Sequence, residues 1–178
     1  MAKDCNYVLE TGTGFSTQCF AANNVKVVSI DLFEVLGDVN DMPGVTLLKG
    51  WSITDKDMIK YGHKLFRRSR YKNTPDESVA FNVGKMIGET DLIRKAVEKF
   101  GVPDMWFSDC GEYCGYAEWS IMKDIIPVEG IIALHDIHYP KSVKNSIPYF
   151  YMLCKPDEWE LVYKSMSKQG LAIFRRLK

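Results

Sequence analysis

Apolar positions in this chain fall into short runs separated by polar turns. The apolar run Tyr7-Val8-Leu9, closed by Glu10, predicts a strand over 7–10, and 16–22 takes helical spacing after a glycine-rich turn. A second strand is expected over 25–30, and a third over 45–49, after the turn-forming Met42-Pro43-Gly44. From 51 to 101 no clear strand pattern occurs and the spacing is helical. Thr54 can cap a first helix with Asp57 in its first turn, and Met58, Ile59, Gly62, Leu65 and Phe66 recur on one face. A second helix is expected from Pro75, carrying Val79, Phe81, Val83, Met86 and Ile87 up to a break at Gly88. A third carries Leu92, Ile93, Ala96, Val97 and Phe100 and ends at Gly101-Val102-Pro103. The part from 51 to 72 is expected to cover the site, since long connections in compact folds are often functional. Strands over 105–108 and 130–134 then alternate with helices over 116–126 and 143–153. Two alternating runs, 159–164 and 171–175, close the chain as a hairpin. Strands alternating with helices argue for an α/β sheet.

The 178 residues fit one domain, 1–178, large enough for a sizeable core. A formal net charge of zero gives no sign of a nucleic-acid or membrane partner. No apolar stretch approaches the roughly 20 residues of a membrane span, and the first residues lack a signal peptide's apolar stretch, so a cytoplasmic location is expected. The cysteines, Cys5, Cys19, Cys110, Cys114 and Cys154, are odd in number and scattered, which argues against a disulfide framework. Cys110 and Cys114 have no second close pair to complete a zinc site, and free thiols are expected.

The stretch Val8-Leu9-Glu10-Thr11-Gly12-Thr13-Gly14-Phe15-Ser16-Thr17 carries most of the functional information. A strand runs into a turn with two glycines and then into a helix start. Gly12 and Gly14 let the backbone bend sharply and approach a ligand. The helix start offers unpaired N–H groups to an anion. Asp31 closes the next strand, where a carboxylate can grip a ribose diol. Together these features point to a nucleoside-bearing ligand.

With these residues in view, the chain resembles the class I S-adenosylmethionine-dependent methyltransferases. Glu10-Thr11-Gly12-Thr13-Gly14 is similar to that family's acidic-x-Gly-x-Gly motif. Ser16-Thr17, Phe107-Ser108-Asp109, Tyr113, Pro127-Val128-Glu129-Gly130 and Leu134-His135-Asp136 resemble its small-molecule O-methyltransferase and cephalosporin-hydroxylase-like subgroup. The resemblance implies a Rossmann-like seven-stranded sheet, parallel but for an antiparallel last strand, with helices on both faces and an inserted helical region at about 51–101. It also implies that S-adenosyl-L-methionine is bound by Glu10, Thr11, Gly12, Gly14, Phe15, Ser16 and Thr17, with Asp31 on the ribose. Leu32 and Phe33 would border the adenine, Trp51 and Ser52 its other face and edge, and Asp109 would reach the cofactor's ammonium group or a metal. Two features depart from the pattern. The stretch Asp109-Cys110-Gly111-Glu112-Tyr113 lacks the subgroup's histidine. The chain also starts almost at its first strand, so the substrate pocket is expected to be incomplete or completed in a homodimer.

Asp109 and Asp136 are expected at the ends of neighbouring strands, where two carboxylates can hold a hard cation such as Mg2+. His138 would be a third ligand, although imidazole suits a transition metal better. The alternative gives Asp109 to the cofactor and Asp136 to backbone. His135 and His138 are candidate general bases, with Asp136 beside them, or hydrogen-bonded structural residues. Tyr113 and Lys141 would line the substrate pocket or face solvent, and His63 reads as a surface residue. The basic run Lys64, Arg67, Arg68, Arg70 and Lys72 fits the wet face of a helix better than a phosphate-binding surface.

Methyl transfer to an oxygen of a small molecule is the leading functional reading. A nicotinamide-dependent oxidoreductase would require glycine at position 17, where threonine stands. A nucleotide-cofactor-binding protein of the same fold without activity is the third alternative.

Overall fold

A computed structural model describes residues 5–32, 38–66, 88–109, 114–138, 145–165 and 167–178. The first half contributes β1 (Tyr7–Thr11), α1 (Phe15–Ala22), β2 (Lys26–Asp31), a 3-10 turn (Asp38–Asp41), β3 (Val45–Lys49) and α2 (Asp55–Phe66). Then follow α3 (Leu92–Phe100), β4 (Met105–Ser108), α4 (Gly115–Ile125), β5 (Ile131–His135), α5 (Ser146–Leu153), β6 (Trp159–Lys164) and β7 (Leu171–Arg176). The expected helix starting at Pro75 lies outside the described residues, as do Phe33, Arg67, Arg68, Arg70, Lys72, Cys110, Tyr113 and Lys141.

The strands form one seven-stranded sheet in the order β3-β2-β1-β4-β5-β7-β6. The five strands from β3 to β5 are parallel, and β7 runs antiparallel to both β5 and β6. The expected sheet and its terminal hairpin are therefore present. The chain moves outward from β1 through β2 to β3 and crosses back to β4 on the other side of β1. Strand order thus reverses between β1 and β4, where such sheets open a crevice at their carboxyl edge.

All five residues of β1 are buried, as expected for a central strand covered on both faces. Side-chain alternation divides the core in two. Leu9, Trp106, Ile132 and Leu134 face α3, α4 and α5, where Ile93, Ala96, Trp119, Met122 and Met152 complete the larger cluster. Val8, Phe107 and Ala133 face the other way. There Phe20 of α1 meets Phe107 edge-on, with ring centroids 5.8 Å apart.

Within the expected helical region, α2 begins at a reciprocal cap. Thr54 Oγ1 accepts the Asp57 N–H at 3.0 Å, and Asp57 Oδ2 accepts the Thr54 hydroxyl at 2.7 Å. Met58 of α2 is fully buried in the larger cluster, and Tyr61 packs edge-on against Tyr116 of α4. Helix α3 buries Leu92, Ile93 and Ala96, so it belongs to the core layer. No helix among the described residues is long and apolar enough to cross a membrane.

Candidate functional site

The turn after β1 is built around Glu10. This side chain is fully buried and accepts hydrogen bonds from the hydroxyls of Ser16, Thr17 and Ser29, the last at 3.0 Å. Thr17 Oγ1 also accepts the Gly14 N–H at 3.0 Å, so one hydroxyl links the turn, the helix and the carboxylate. Thr13 Oγ1 lies 2.8 Å from Ser29 Oγ. Burial pushes the Glu10 carboxyl up to about 7, against the pull of the Ser16, Thr17 and Ser29 hydrogen bonds, and nearby Asp109 adds to the rise.

Gly12 takes φ +91°, a conformation that side-chain-bearing residues rarely adopt, and its N–H donates to the Ile30 carbonyl at 2.9 Å. Gly14 is extended, and a Cβ placed there would meet nothing within 4 Å. The loop is therefore open on that side. The first N–H groups of α1, at Phe15, Ser16 and Thr17, precede the helix's own hydrogen-bond ladder and are available to an anion. Asp31, at the tip of β2, is half-buried and accepts the Thr13 N–H through Oδ2 at 2.8 Å. Its neighbour Leu32 is partly exposed and Phe15 is largely exposed. An open glycine, unladdered N–H groups and a strand-tip carboxylate fit the anionic and ribose parts of a nucleoside cofactor.

The remaining cofactor candidates are placed differently. Trp51 is packed in the larger core cluster. The Ser52 hydroxyl donates to Glu118 Oε1, and the Thr11 hydroxyl donates to Glu118 Oε2 at 2.9 Å. Sequence reasoning did not single out Glu118. The signal was a lone acid within the apolar run Ala117, Trp119, Ile121 and Met122 of α4, all buried with it.

Beyond the switch point, Asp109 follows β4 directly, and His135-Asp136 lies at the end of β5. The parallel register pairs Ser108 with Leu134 and brings these tips together. His135 Nδ1 lies 3.0 Å from Asp109 Oδ1 and 3.6 Å from Asp136 Oδ1. One donor atom from each of the three residues falls within 4.8 Å of the others. Adjacent ligands of a cation bound at about 2.1 Å stand about 3.0–3.4 Å apart, so these side chains would have to draw closer by rotation to close on a small divalent cation. Asp136 takes φ +57°, and its N–H donates to the Gly170 carbonyl at 3.0 Å. The expected third ligand was His138, and the residue actually grouped with the two aspartates is His135. The His138 N–H donates to the Gln169 carbonyl at 3.3 Å, and its ring packs where a Cβ on Gly170 would come within 2.8 Å.

Asn145 was also missed. An asparagine just before a helix reads as an N-cap, but here its side chain makes no cap bond. Fully buried, its Nδ2 donates to the carbonyls of Ser108 at 3.1 Å and His135 at 2.7 Å, and its Oδ1 accepts from Ser108 Oγ at 3.2 Å. It staples together the two strand ends that carry Asp109 and His135.

No protein-family model matches the chain, and no curated protein matches it. Solved structures do. MycE methyltransferase from the mycinamycin biosynthetic pathway, in complex with Mg, SAH and mycinamycin VI, matches 99% of this chain at 9% identity with a TM-score of 0.58. Another MycE structure, with Mg and SAH, matches with a TM-score of 0.55. This chain spans less than half the length of the MycE chains, 43% and 46%. A Staphylococcus aureus protein described as a caffeoyl-CoA O-methyltransferase matches over 97% of this chain and 77% of its own, at 15% identity and a TM-score of 0.57. The fold is that of class I methyltransferases. At these identities the likeness concerns the fold.

Proposed function

We propose that the chain is an S-adenosyl-L-methionine-dependent O-methyltransferase that acts on a small molecule, with assistance from a divalent cation such as Mg2+. The observation that carries this reading is the meeting of two sets of residues at one switch point. The open Gly12–Gly14 loop and Asp31 lie on one side of the reversal, and Asp109, His135 and Asp136 lie on the other.

Each group has a role in this reading. Asp31 accepts the ribose hydroxyls. The first N–H groups of α1 hold the methionyl carboxylate. Glu10 keeps the loop in shape from beneath through Ser16 and Thr17. When bound, the cofactor supplies a methyl group on a sulfonium, electrophilic enough for an aligned oxygen to accept it. A cation held by Asp109 and Asp136 would lower the pKa of the acceptor hydroxyl. His135, oriented through Nδ1 by Asp109, can take the proton at its other ring nitrogen. Alignment then supplies much of the rate.

Thermal unfolding with and without S-adenosylhomocysteine tests the cofactor assignment. Wild-type protein is expected to be stabilised, and Gly12→Val and Asp31→Ala are each expected to abolish the shift. Unchanged shifts in both variants would place the ligand elsewhere. Methylated product in a screen of alcohol and phenol acceptors separates an enzyme from a protein of this fold that only binds the cofactor. The oxidoreductase alternative has weaker support, because position 17 is a threonine whose hydroxyl is committed to Glu10.

A further inference from the structure

We propose that Glu118 is a positioning residue for the cofactor, fixing the separation between the end of β1, where the glycine turn begins, and the loop after β3. This rests on the cofactor reading above. Glu118 is fully buried on α4, and its two carboxylate oxygens accept the hydroxyls of Thr11, the last residue of β1, and of Ser52 in the loop after β3. Thr11 stands directly before Gly12, and its carbonyl accepts the Asp109 N–H at 2.8 Å. Ser52 stands directly after Trp51, and its carbonyl accepts the Ile93 N–H at 3.0 Å.

Strands β1 and β3 are not neighbours, because β2 lies between them with Asp31 at its tip. Two strand spacings put them about 10 Å apart. Glu118 bridges that gap from the helix layer, reaching the end of β1 and the loop after β3, on either side of β2 and Asp31. An apolar side chain at this position would pack α4 but leave the end of β1 and the loop after β3 unconnected. A carboxyl group is suited to this place because it offers one oxygen to each of the two hydroxyls. The hydroxyls of Thr11 and Ser52 therefore act as ties, and the backbone and glycines of the loops are left to meet the ligand.

The tie predicts a particular pattern of loss. A ligand that spans both loops depends on their separation, and a ligand that lacks one end does not. Isothermal titration with S-adenosylhomocysteine and with 5′-methylthioadenosine, which lacks the amino-acid end, measures the difference. In Glu118→Gln the amide keeps one accepting oxygen, so one hydroxyl must turn. S-adenosylhomocysteine is expected to weaken about tenfold, the equivalent of one lost hydrogen bond. Methylthioadenosine is expected to change less than about threefold, because it does not span the gap. Ser52→Ala, a smaller change to the fold, should shift the ratio of the two affinities the same way and add little to Glu118→Gln. Parallel weakening of both ligands, or no change in either, would overturn the proposal. Wild-type protein that binds neither ligand would overturn the cofactor reading, and the proposal with it.

Discussion

Glu10 and Asp136 show how single residues set the chemistry of the crevice. Glu10 is buried among hydroxyls, and its carboxyl is raised from an ordinary value of 4.5 to about 7. The folded protein therefore binds this proton more tightly than the unfolded chain. Its stability contribution is fully present below about pH 4.5 and is lost as the pH rises through about 7. Glu10→Gln, whose amide can still serve the three hydroxyls, is expected to flatten that part of the profile. Urea unfolding of both proteins at about pH 5 and pH 8 checks this, and an unchanged slope would refute it. Asp136 is held in a left-handed backbone conformation beside His135 and Asp109. Asp109 and Asp136 supply the carboxylates for a cation, so Asp136→Asn is expected to weaken Mn2+ binding at least about tenfold. Titration of the cofactor-free protein, followed by the Mn2+ paramagnetic resonance signal, measures this, and an unchanged affinity in the variant would refute a cation held by Asp136.

Between elements, side chains brought from afar control the geometry. Asn145 joins the ends of β4 and β5 from the N-terminus of α5, and Glu118 joins the end of β1 to the loop after β3 from α4. Asp57 of α2 forms a two-point pair with Arg94 of α3, with N···O distances of 2.8 and 3.2 Å. Burial alone would raise the Asp57 carboxyl, but the Arg94 and Thr54 hydrogen bonds outweigh it and hold the group below its ordinary value. Arg94 is well exposed, so Arg94→Ala is expected to cost no more than about 1 kcal/mol and to matter less at high salt. Denaturant unfolding at two salt concentrations checks that limit.

At the scale of the whole molecule, the order of strands creates the crevice. Because β1 and β4 are neighbours and the chain leaves them in opposite directions, their loops diverge and leave the carboxyl edge open. The Gly12 turn and Asp109 thereby flank one opening, linked through the Thr11 carbonyl. The sheet resembles that of solved O-methyltransferases, while the donor set and buried ties described here belong to this chain's own residues.

Local chemistry was legible in the sequence. The runs at β3, β4 and β6 have the expected bounds, and Thr54 caps its helix as expected. Apolar alternation and capping depend on near neighbours, so a one-dimensional pattern records them. The glycine turn and the strand-tip acids were legible for the same reason. The roles of Glu118 and Asn145, and the pairing of His135 with Asp109, were not. Their partners lie 66 and 107, 37 and 10, and 26 positions away, respectively, and only the strand order and register bring them together. His135 rather than His138 joins the aspartates because the backbone turns at Asp136 and carries His138 toward Gly170. Sequence thus determined which groups could bind and react, and tertiary packing decided which of them meet, since a side chain's partners depend on distance in space.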